Sequence, residues 1–352
     1  MGQDIFDFET VALCEERDCI RIIDQTLLPG NVVIEELHTA EQIWNAIYLL
    51  KVRGAPAIGV TAAMAMYLLV NRVPIQEGTG GKQAYELLRG EFDRQKAYLA
   101  SSRPTAVNLF WALDRMDRAF TACGEGQYCS AEEIKDCLRR EAAAIRDEDI
   151  EVCRKIGEHG LALLKPGDGI LTHCNAGRLA TIRYGTATAP IYLGQERGYG
   201  FHVYADETRP LLQGARLTAF ELQAAGVDVT LLCDNMAASL MRAGKIQAVL
   251  VGCDRVAANG DAANKIGTSA VAAVAAYYHV PFYVCAPTST IDSNARTGKD
   301  IVIEHRRPEE VTEMWYKERM APEGVKVYNP AFDVTDHELI TGIITENGVL
   351  KP

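Results

Sequence analysis

The sequence predicts an α/β protein with a Rossmann-like, doubly wound parallel sheet in its C-terminal part and a mainly helical N-terminal domain. Two observations carry this prediction. After about residue 150, short apolar runs alternate with helical stretches, which is typical of a parallel sheet covered on both faces. Before that point the patterns are helical and are broken by glycine and proline. A chain of 352 residues suits two domains of ordinary size.

The chain opens on a predicted small antiparallel β element. Two β-branched runs, 19–24 and 32–37, flank the turn signal Pro29-Gly30-Asn31. Helical patterns follow at Ala40–Val52, Ala57–Asn71, Gln83–Ala100, Ala106–Ala119 and Ala131–Ile145, and one break between them is Gly124-Glu125-Gly126. We therefore place an N-terminal domain at residues 1–145 and a catalytic α/β domain at residues 146–352.

One helical stretch is apolar enough to be tested as a membrane span. Residues 54–70 carry no charge over seventeen positions, which is the lower limit for crossing a bilayer. The stretch is rich in alanine and glycine and contains Pro56, so we expect a helix buried inside the protein and no membrane association.

The C-terminal domain is predicted from five apolar runs that read as strands buried on both faces. The runs are Gly169–Cys174, Phe201–Tyr204, Val229–Cys233, Ala248–Gly252 and Pro281–Cys285, with helices at Arg216–Ala225, Met236–Ala243 and Ala270–Tyr278.

Composition excludes some classes of function. The formal net charge of −11 argues against a nucleic-acid partner, which requires a basic face. Ten cysteines include no CxxC pair, so neither a zinc knuckle nor a thioredoxin-type site is expected. The acidic start of the chain lacks a secretory n-region, which favours free thiols in the cytoplasm. We expect no metal and no cofactor, since neither a Walker loop nor a GxGxxG motif is present.

Polar residues follow each predicted strand, at the edge where open parallel sheets bind ligands. They are Cys174-Asn175, Asp206-Glu207-Thr208-Arg209, Cys233-Asp234-Asn235, Asp254-Arg255 and Thr288-Ser289-Thr290. Loop chemistry and helix caps account for about half of these residues, and they account least well for Cys174 and Asp254.

Cys174 and Asp254 each allow a structural and a functional interpretation. A free cysteine is usually a small buried hydrophobe, but Cys174 ends a strand at the ligand-facing edge. Strand alternation points His173 to the opposite face, so we expect a packed or hydrogen-bonded histidine and no Cys–His dyad. Asp254 could pair with Arg255 or cap a helix, or burial could keep its carboxyl group protonated for use as an acid.

Three further segments are candidates for binding phosphate. Residues 259–265 offer a turn, backbone amides and Lys265 where a helix is expected to begin. Arg53 and Arg103 each precede a predicted helix. They are either solvated surface residues or a bidentate clamp on phosphate.

Seven segments together resemble one enzyme family. They are VRGAPAIG (52–59), SSRPTAVNL (101–109), LTHCNAG (171–177), ETRPLLQGARLTAFEL (207–222), CDNMAA (233–238), GCDRVAANGDAANKIGT (252–268) and APTSTID (286–292). These segments resemble the methylthioribose-1-phosphate isomerases of methionine salvage, which are related to ribose 1,5-bisphosphate isomerases and to regulatory subunits of a translation-initiation exchange factor. Cys253 and Arg178 depart from the family pattern, where smaller residues are usual.

The resemblance implies a site and a reaction. It implies that Cys174 and Asp254 are the catalytic pair, and that a homodimer binds a small-molecule sugar phosphate through Arg53, Gly54, Ala55, Arg103, Gln213, Asn264 and Lys265. The expected reaction is an aldose–ketose isomerisation of 5-methylthioribose 1-phosphate, and also of 5-deoxyribose 1-phosphate, by proton transfer, with a hydride shift as the competing route. A ribose 1,5-bisphosphate isomerase that uses Arg178 or Arg183, and a non-catalytic nucleotide-sensing homologue, are the alternatives.

Overall fold

A computed structural model describes residues 8–104, 106–124 and 129–352, so Thr105 and the predicted break at Glu125-Gly126 lie outside the described residues. The chain forms two compact units. The N-terminal unit comprises the chain up to Glu151 together with Leu179–Arg183. The C-terminal unit comprises Val152–Arg178 and Tyr184–Pro352. The boundary proposed at residues 145 and 146 falls inside a continuous helix.

The N-terminal unit begins with a three-stranded antiparallel sheet in the order β1-β2-β3. Its strands are β1 (Val11–Cys14), β2 (Cys19–Ile23) and β3 (Ile34–Leu37). The small β element is therefore confirmed, with one additional strand. Sequence analysis missed β1 because its four residues are too few to show an alternating pattern.

Five helices follow among the described residues, the last of which continues into the C-terminal unit, and all five were predicted. They are α1 (Ala40–Tyr48), α2 (Ala55–Asn71), α3 (Gly81–Ala100), α4 (Val107–Gly124) and α5 (Ala131–Leu161). Residues 57–70 of α2 are all buried, as expected for an apolar helix at the centre of a core. None of the helices in the described part of the chain is both long and apolar enough to span a bilayer.

The predicted end of α5 at Ile145 was wrong, because the helix continues to Leu161. Gly157 and Gly160, which could have ended it, instead allow close packing. A Cβ at Gly157 would lie 2.7 Å from the side chain of Leu193, and one at Gly160 would lie 2.5 Å from Pro190.

The C-terminal unit contains eleven strands and five helices among its described residues after α5. The strands are β4 (Gly169–Thr172), β5 (His202–Asp206), β6 (Asp228–Leu232), β7 (Ala248–Val251), β8 (Arg255–Ala257), β9 (Ala262–Lys265), β10 (Phe282–Cys285), β11 (Ile291–Asp292), β12 (Phe332–Thr335), β13 (Gly342–Thr345) and β14 (Gly348–Leu350). The helices are α6 (Ala189–Glu196), α7 (Ala219–Ala224), α8 (Ala237–Arg242), α9 (Thr268–Tyr277) and α10 (Glu309–Thr312).

The main sheet has seven strands in the order β14-β13-β10-β7-β4-β5-β6. All neighbours are parallel except β13 and β14, so the predicted doubly wound sheet is confirmed. From β4 the chain adds β5 and β6 on one side, and then β7, β10 and β13 on the other. This reversal makes the β4–β7 crevice a topological switch point, the place where such sheets bind ligands.

The strands β13 and β14 of the main sheet were not predicted, and two further features of this unit differ from the prediction. A second sheet, in the order β11-β8-β9-β12, follows β7 along the chain. The prediction that every run is buried on both faces was wrong for β6, which lies at the sheet edge and exposes half of Leu231.

Candidate active site

Cys174 and Asp254 follow the two strands that flank the switch point. β4 and β7 pair in parallel, with Ile170 opposite Ala248 and Leu171 opposite Val249. Cys174 and Asp254 therefore follow their strands at the same edge of the sheet. The two loops also touch, because a Cβ added at Gly252 would lie only 2.4 Å from the Cβ of Ala176. Gly252 is thus required for the close approach of the chain segments that carry the thiol and the carboxyl group.

The backbone of Cys174 is held in a strained conformation by two threonines. Its φ of 65° lies in the left-handed region, which a non-glycine residue rarely adopts. The Cys174 N–H donates to Thr208 Oγ1 at 2.8 Å, and Thr218 Oγ1 donates to the Cys174 carbonyl at 2.6 Å. Its side chain is 8% exposed. Strain that is fixed from both sides is typical of a preorganised functional residue.

The two threonines are positioned by neighbouring loops. The carboxylate of Asp234 accepts hydrogen bonds from the N–H groups of Thr208 and Arg209, at 2.6 and 2.7 Å. Thr218 ends a π-helical turn that begins at Gly214, where a Cβ would lie 1.6 Å from the Asp206 carbonyl oxygen. The roles of Thr208 and Thr218 were not predicted, because they depend on backbone conformations that no local sequence pattern encodes.

His173 is buried and hydrogen-bonded, as predicted. Its Nδ1 lies 3.0 Å from Asp206 Oδ2, and its Nε2 lies 2.9 Å from the carbonyl oxygen of Ile266. Burial lowers the pKa of His173, but the hydrogen bond and negative charge of Asp206 outweigh this and raise the pKa above its ordinary value. The ring therefore connects the turn at Cys174 with the end of β5 and with the segment after β9.

His173 also belongs to a cluster with Asp206 and Asp234 whose potential metal-ligand atoms lie within 4.8 Å of one another. Both ring nitrogens of His173 and both carboxylate oxygens of Asp234 already take part in hydrogen bonds. These hydrogen bonds hold the backbone on either side of Cys174 in place.

Asp254 is half-buried and lies beside β9. Its N–H donates to the carbonyl of Ala263 at 2.9 Å, and the Cys253 thiol donates to the same oxygen at 3.4 Å. Burial, and then the adjacent Asp254 carboxylate, raise the pKa of Cys253 well above its ordinary value. Cys253, the unusual residue of this segment, therefore stays a protonated thiol.

Three predicted substrate ligands lie in the same C-terminal unit as Cys174 and Asp254. Gln213 is 6% exposed, and its Oε1 has no hydrogen-bond partner among the described residues. Asn264 lies on β9 next to Ala263 and donates to Thr268 Oγ1 at 3.1 Å. Lys265 is 9% exposed, donates to the Ala331 carbonyl at 2.9 Å and lies 4.4 Å from the ring centroid of Phe332. A buried amide oxygen without a partner is costly, which keeps Gln213 a candidate for ligand binding.

The expectation of available amides where a helix begins after residue 265 was wrong. Residues 255–265 form the β8–β9 hairpin, and α9 begins only at Thr268. The N–H groups of Gly267 and Ser269 are capped by the carboxylate of Asp333, with a Gly267 N to Oδ2 distance of 2.8 Å. The amides of Gly267 and Ser269 are therefore not available to a phosphate.

The remaining predicted ligands lie in the N-terminal unit. Arg53 and Arg103 are both half-buried, so neither is a fully solvated surface residue. Gly54 has a φ of 90°, and a Cβ there would lie 2.4 Å from the carbonyl oxygen of Ala180. Ala55 is the first residue of α2. The segment 53–55 is therefore fixed by tight backbone packing that only glycine allows.

Comparison with known proteins places these residues in a family. Residues 51–352 match the model of the Initiation factor 2 subunit family. A methylthioribose-1-phosphate isomerase of Symbiobacterium thermophilum is 63% identical over 346 residues, which cover 98% of this chain and 93% of that protein. A 5-deoxyribose 1-phosphate isomerase of Bacillus thuringiensis is 55% identical over 338 residues, which cover 95% of this chain and 93% of that protein.

A solved structure agrees with these sequence relatives. The crystal structure of 5-methylthioribose 1-phosphate isomerase from Pyrococcus horikoshii superposes with a TM-score of 0.89 at 42% identity, and the match covers 98% of this chain and 93% of that one. The match therefore extends over both units of the chain. On the evidence of its sequence, its sheet topology and these relatives, the chain belongs to the Initiation factor 2 subunit family.

Proposed function

We propose that this protein is an aldose–ketose isomerase that converts 5-methylthioribose 1-phosphate into 5-methylthioribulose 1-phosphate. The observation that carries the proposal is the Cys174 turn: a nearly buried thiol in a strained, doubly anchored backbone at the switch point of the sheet. An Asp residue, Asp254, follows the adjacent strand. Relatives named for the methylthio and the deoxy sugar support the same reaction on both substrates.

The proposed chemistry needs one acid and one base. Asp254 donates a proton to the ring oxygen as the bond from C1 to that oxygen breaks, which opens the sugar. The Cys174 thiolate removes the proton from C2, giving a C1–C2 enediol that still carries the phosphate. Return of that proton to C1, and loss of the 2-hydroxyl proton to Asp254, gives the ketone at C2. Both groups end in their starting protonation states.

Substrate contacts are proposed from the same edge of the sheet. Gln213 Oε1 would accept a hydrogen bond from a sugar hydroxyl, which removes the cost of leaving it unpartnered. Asn264 would contact the sugar, and Lys265 would supply a positive charge for the phosphate. We keep Arg53, Gly54, Ala55 and Arg103 of the N-terminal unit as proposed phosphate ligands.

The proton route predicts exchange with solvent. Conversion of unlabelled 5-methylthioribose 1-phosphate in D₂O should place deuterium at C1 of the ketose, and NMR of the product detects it. The matched experiment uses substrate deuterated at C2 in H₂O. Complete retention of that label at C1 would contradict proton transfer to Cys174 and favour a hydride shift, while no turnover of this sugar would contradict the proposed function.

The substituent at C5 is tested by comparing three substrates: the methylthio, deoxy and phosphorylated ribose 1-phosphates. We expect turnover of the first two. A preference for the bisphosphate would assign the chain to the alternative isomerase, and ligand binding without any turnover would identify a sensor.

We also propose that the protein acts in the cytoplasm as a homodimer. The edge strand β6 and the segment that follows it expose apolar side chains, with Leu231 50% and Met236 47% exposed. An exposed apolar sheet edge favours association with a second copy. Sedimentation velocity measures the state directly, and a monomer at micromolar concentration would contradict it.

A further inference from the structure

The three-stranded sheet of the N-terminal unit aligns two thiols and an imidazole on one face. Cys14 on β1 lies directly opposite Cys19 on β2, and opposite residues of neighbouring strands point to the same face. His38 lies one position beyond the pair formed by Ile20 and Leu37, which puts it opposite Cys19. Glu36, two residues before His38, shares that face because side chains alternate along a strand.

The side chains converge as the register requires. The ligand-type atoms of Cys19, Glu36 and His38 lie within 4.8 Å of one another, and His38 Nε2 lies 3.9 Å from Glu36 Oε2. Cys14 lies beside this group, opposite Cys19 in the strand register. Three potential ligands therefore converge, from β2, from β3 and from the residue that follows β3, and Cys14 on β1 is the nearest candidate for a fourth.

We propose that Cys14, Cys19, Glu36 and His38 form a tetrahedral site for a zinc-class divalent cation. Thiolate, imidazole and carboxylate are the donors that Zn²⁺ takes in four-coordinate structural sites. Thiolates exclude the hard cations Mg²⁺ and Ca²⁺, which take oxygen ligands. Zn–S and Zn–N bonds of about 2.3 and 2.0 Å require the three converging side chains to contract around the ion and the Cys14 side chain to turn toward it. The site has no CxxC motif, because strand pairing brings its ligands together.

The imidazole is already oriented for a metal. His38 Nδ1 lies 3.2 Å from the carbonyl oxygen of Asp18, which selects the tautomer with a proton on Nδ1 and a lone pair on Nε2. The backbone N–H of His38 donates to Gln42 Oε1 at 2.7 Å. The Arg72 side chain donates to the backbone carbonyl groups of His38 and Asp18. The turn before β2 therefore orients the ring, and the start of α1 and the end of α2 hold the backbone of His38.

The site has both a closed and an open side. Cys19 is fully buried, whereas the side chains of Glu36 and His38 are 31% and 44% exposed, which leaves an entry path for an ion. Burial, and then the Glu36 carboxylate, raise the pKa of the Cys19 thiol to about 11, although the Arg17 charge opposes this. A bound cation would reverse this effect, because a coordinating thiol loses its proton.

The test is metal binding to the full-length protein after reduction and treatment with a chelator. Zn²⁺ should bind at one equivalent per chain and raise the melting temperature. Co²⁺ should give the thiolate charge-transfer band and the d–d bands of a tetrahedral centre. Losing an outer-shell partner of a metal ligand alone costs about 10- to 100-fold in affinity, so Cys19→Ser and His38→Ala should each weaken binding by at least about 100-fold.

Matched controls use residues of the same types elsewhere. Cys233→Ser replaces an exposed cysteine, and His202→Ala replaces an exposed histidine that pairs with Asp228; both should bind zinc as the original protein does. If Cys19→Ser does not fold, the more exposed His38→Ala provides the same test. Zinc uptake that is insensitive to Cys19 and His38, or a Cys14–Cys19 disulfide that yields no zinc binding once reduced, would overturn the proposal.

Discussion

Replacing Cys174 with serine should lower kcat by about 10²- to 10⁴-fold, the range of a lost general base. Serine keeps the size of the side chain and tolerates the same left-handed backbone, which two hydrogen bonds hold in place. Its hydroxyl cannot act as a base near neutral pH. Binding of the ketose product, measured by calorimetry, should therefore change little while turnover is lost.

The control for this experiment is Cys253→Ser. Cys253 lies beside Asp254, but its thiol stays protonated and donates a hydrogen bond to the Ala263 carbonyl. We expect this variant to keep nearly full activity. A loss of less than tenfold in Cys174→Ser, or an equal loss in both variants, would show that the thiol of Cys174 is not the base.

The second large effect is expected from Asp254→Asn. Asparagine keeps the shape of the side chain and can still form hydrogen bonds, but it cannot give a proton to the ring oxygen. We expect kcat to fall by about 10²- to 10⁴-fold, with a similar melting temperature. The matched control is Asp292→Asn, since Asp292 is half-buried, lies on β11 and pairs with Arg255 at 3.3 Å. Comparable activity in the two variants would remove Asp254 from the mechanism.

The sequence predicted the central strands of the main sheet well because they are short, apolar and rich in branched residues. The observed β4, β5, β7 and β10 differ from the predicted runs by at most two residues at either end, whereas β13 and β14 were not predicted. The second sheet was missed because β8 and β9 consist largely of alanine and polar residues and show no strand pattern. Their structure depends on pairing with β11 and β12, which are distant in sequence.

The prediction of the candidate active site was limited in the same way, by structure that depends on residues distant in sequence. Polar residues at strand ends led to Cys174, Asp254 and His173, because parallel strands share one ligand-binding edge. The anchors Thr208 and Thr218 depend on a left-handed backbone and a π-helical turn. The segment 259–265 was misread because its turn and lysine fit a helix start as well as a hairpin, and only the strand partners decide between them.

The central claim is that one thiol and one carboxyl group act on the same sugar, and a double-variant cycle tests it most directly. kcat is measured for Cys174→Ser, for Asp254→Asn and for the variant that carries both changes. Groups that act as a unit show strongly non-additive losses. The double variant should therefore be within about tenfold of the slower single variant. Losses that multiply fully would show that the two residues act independently and would contradict a shared site.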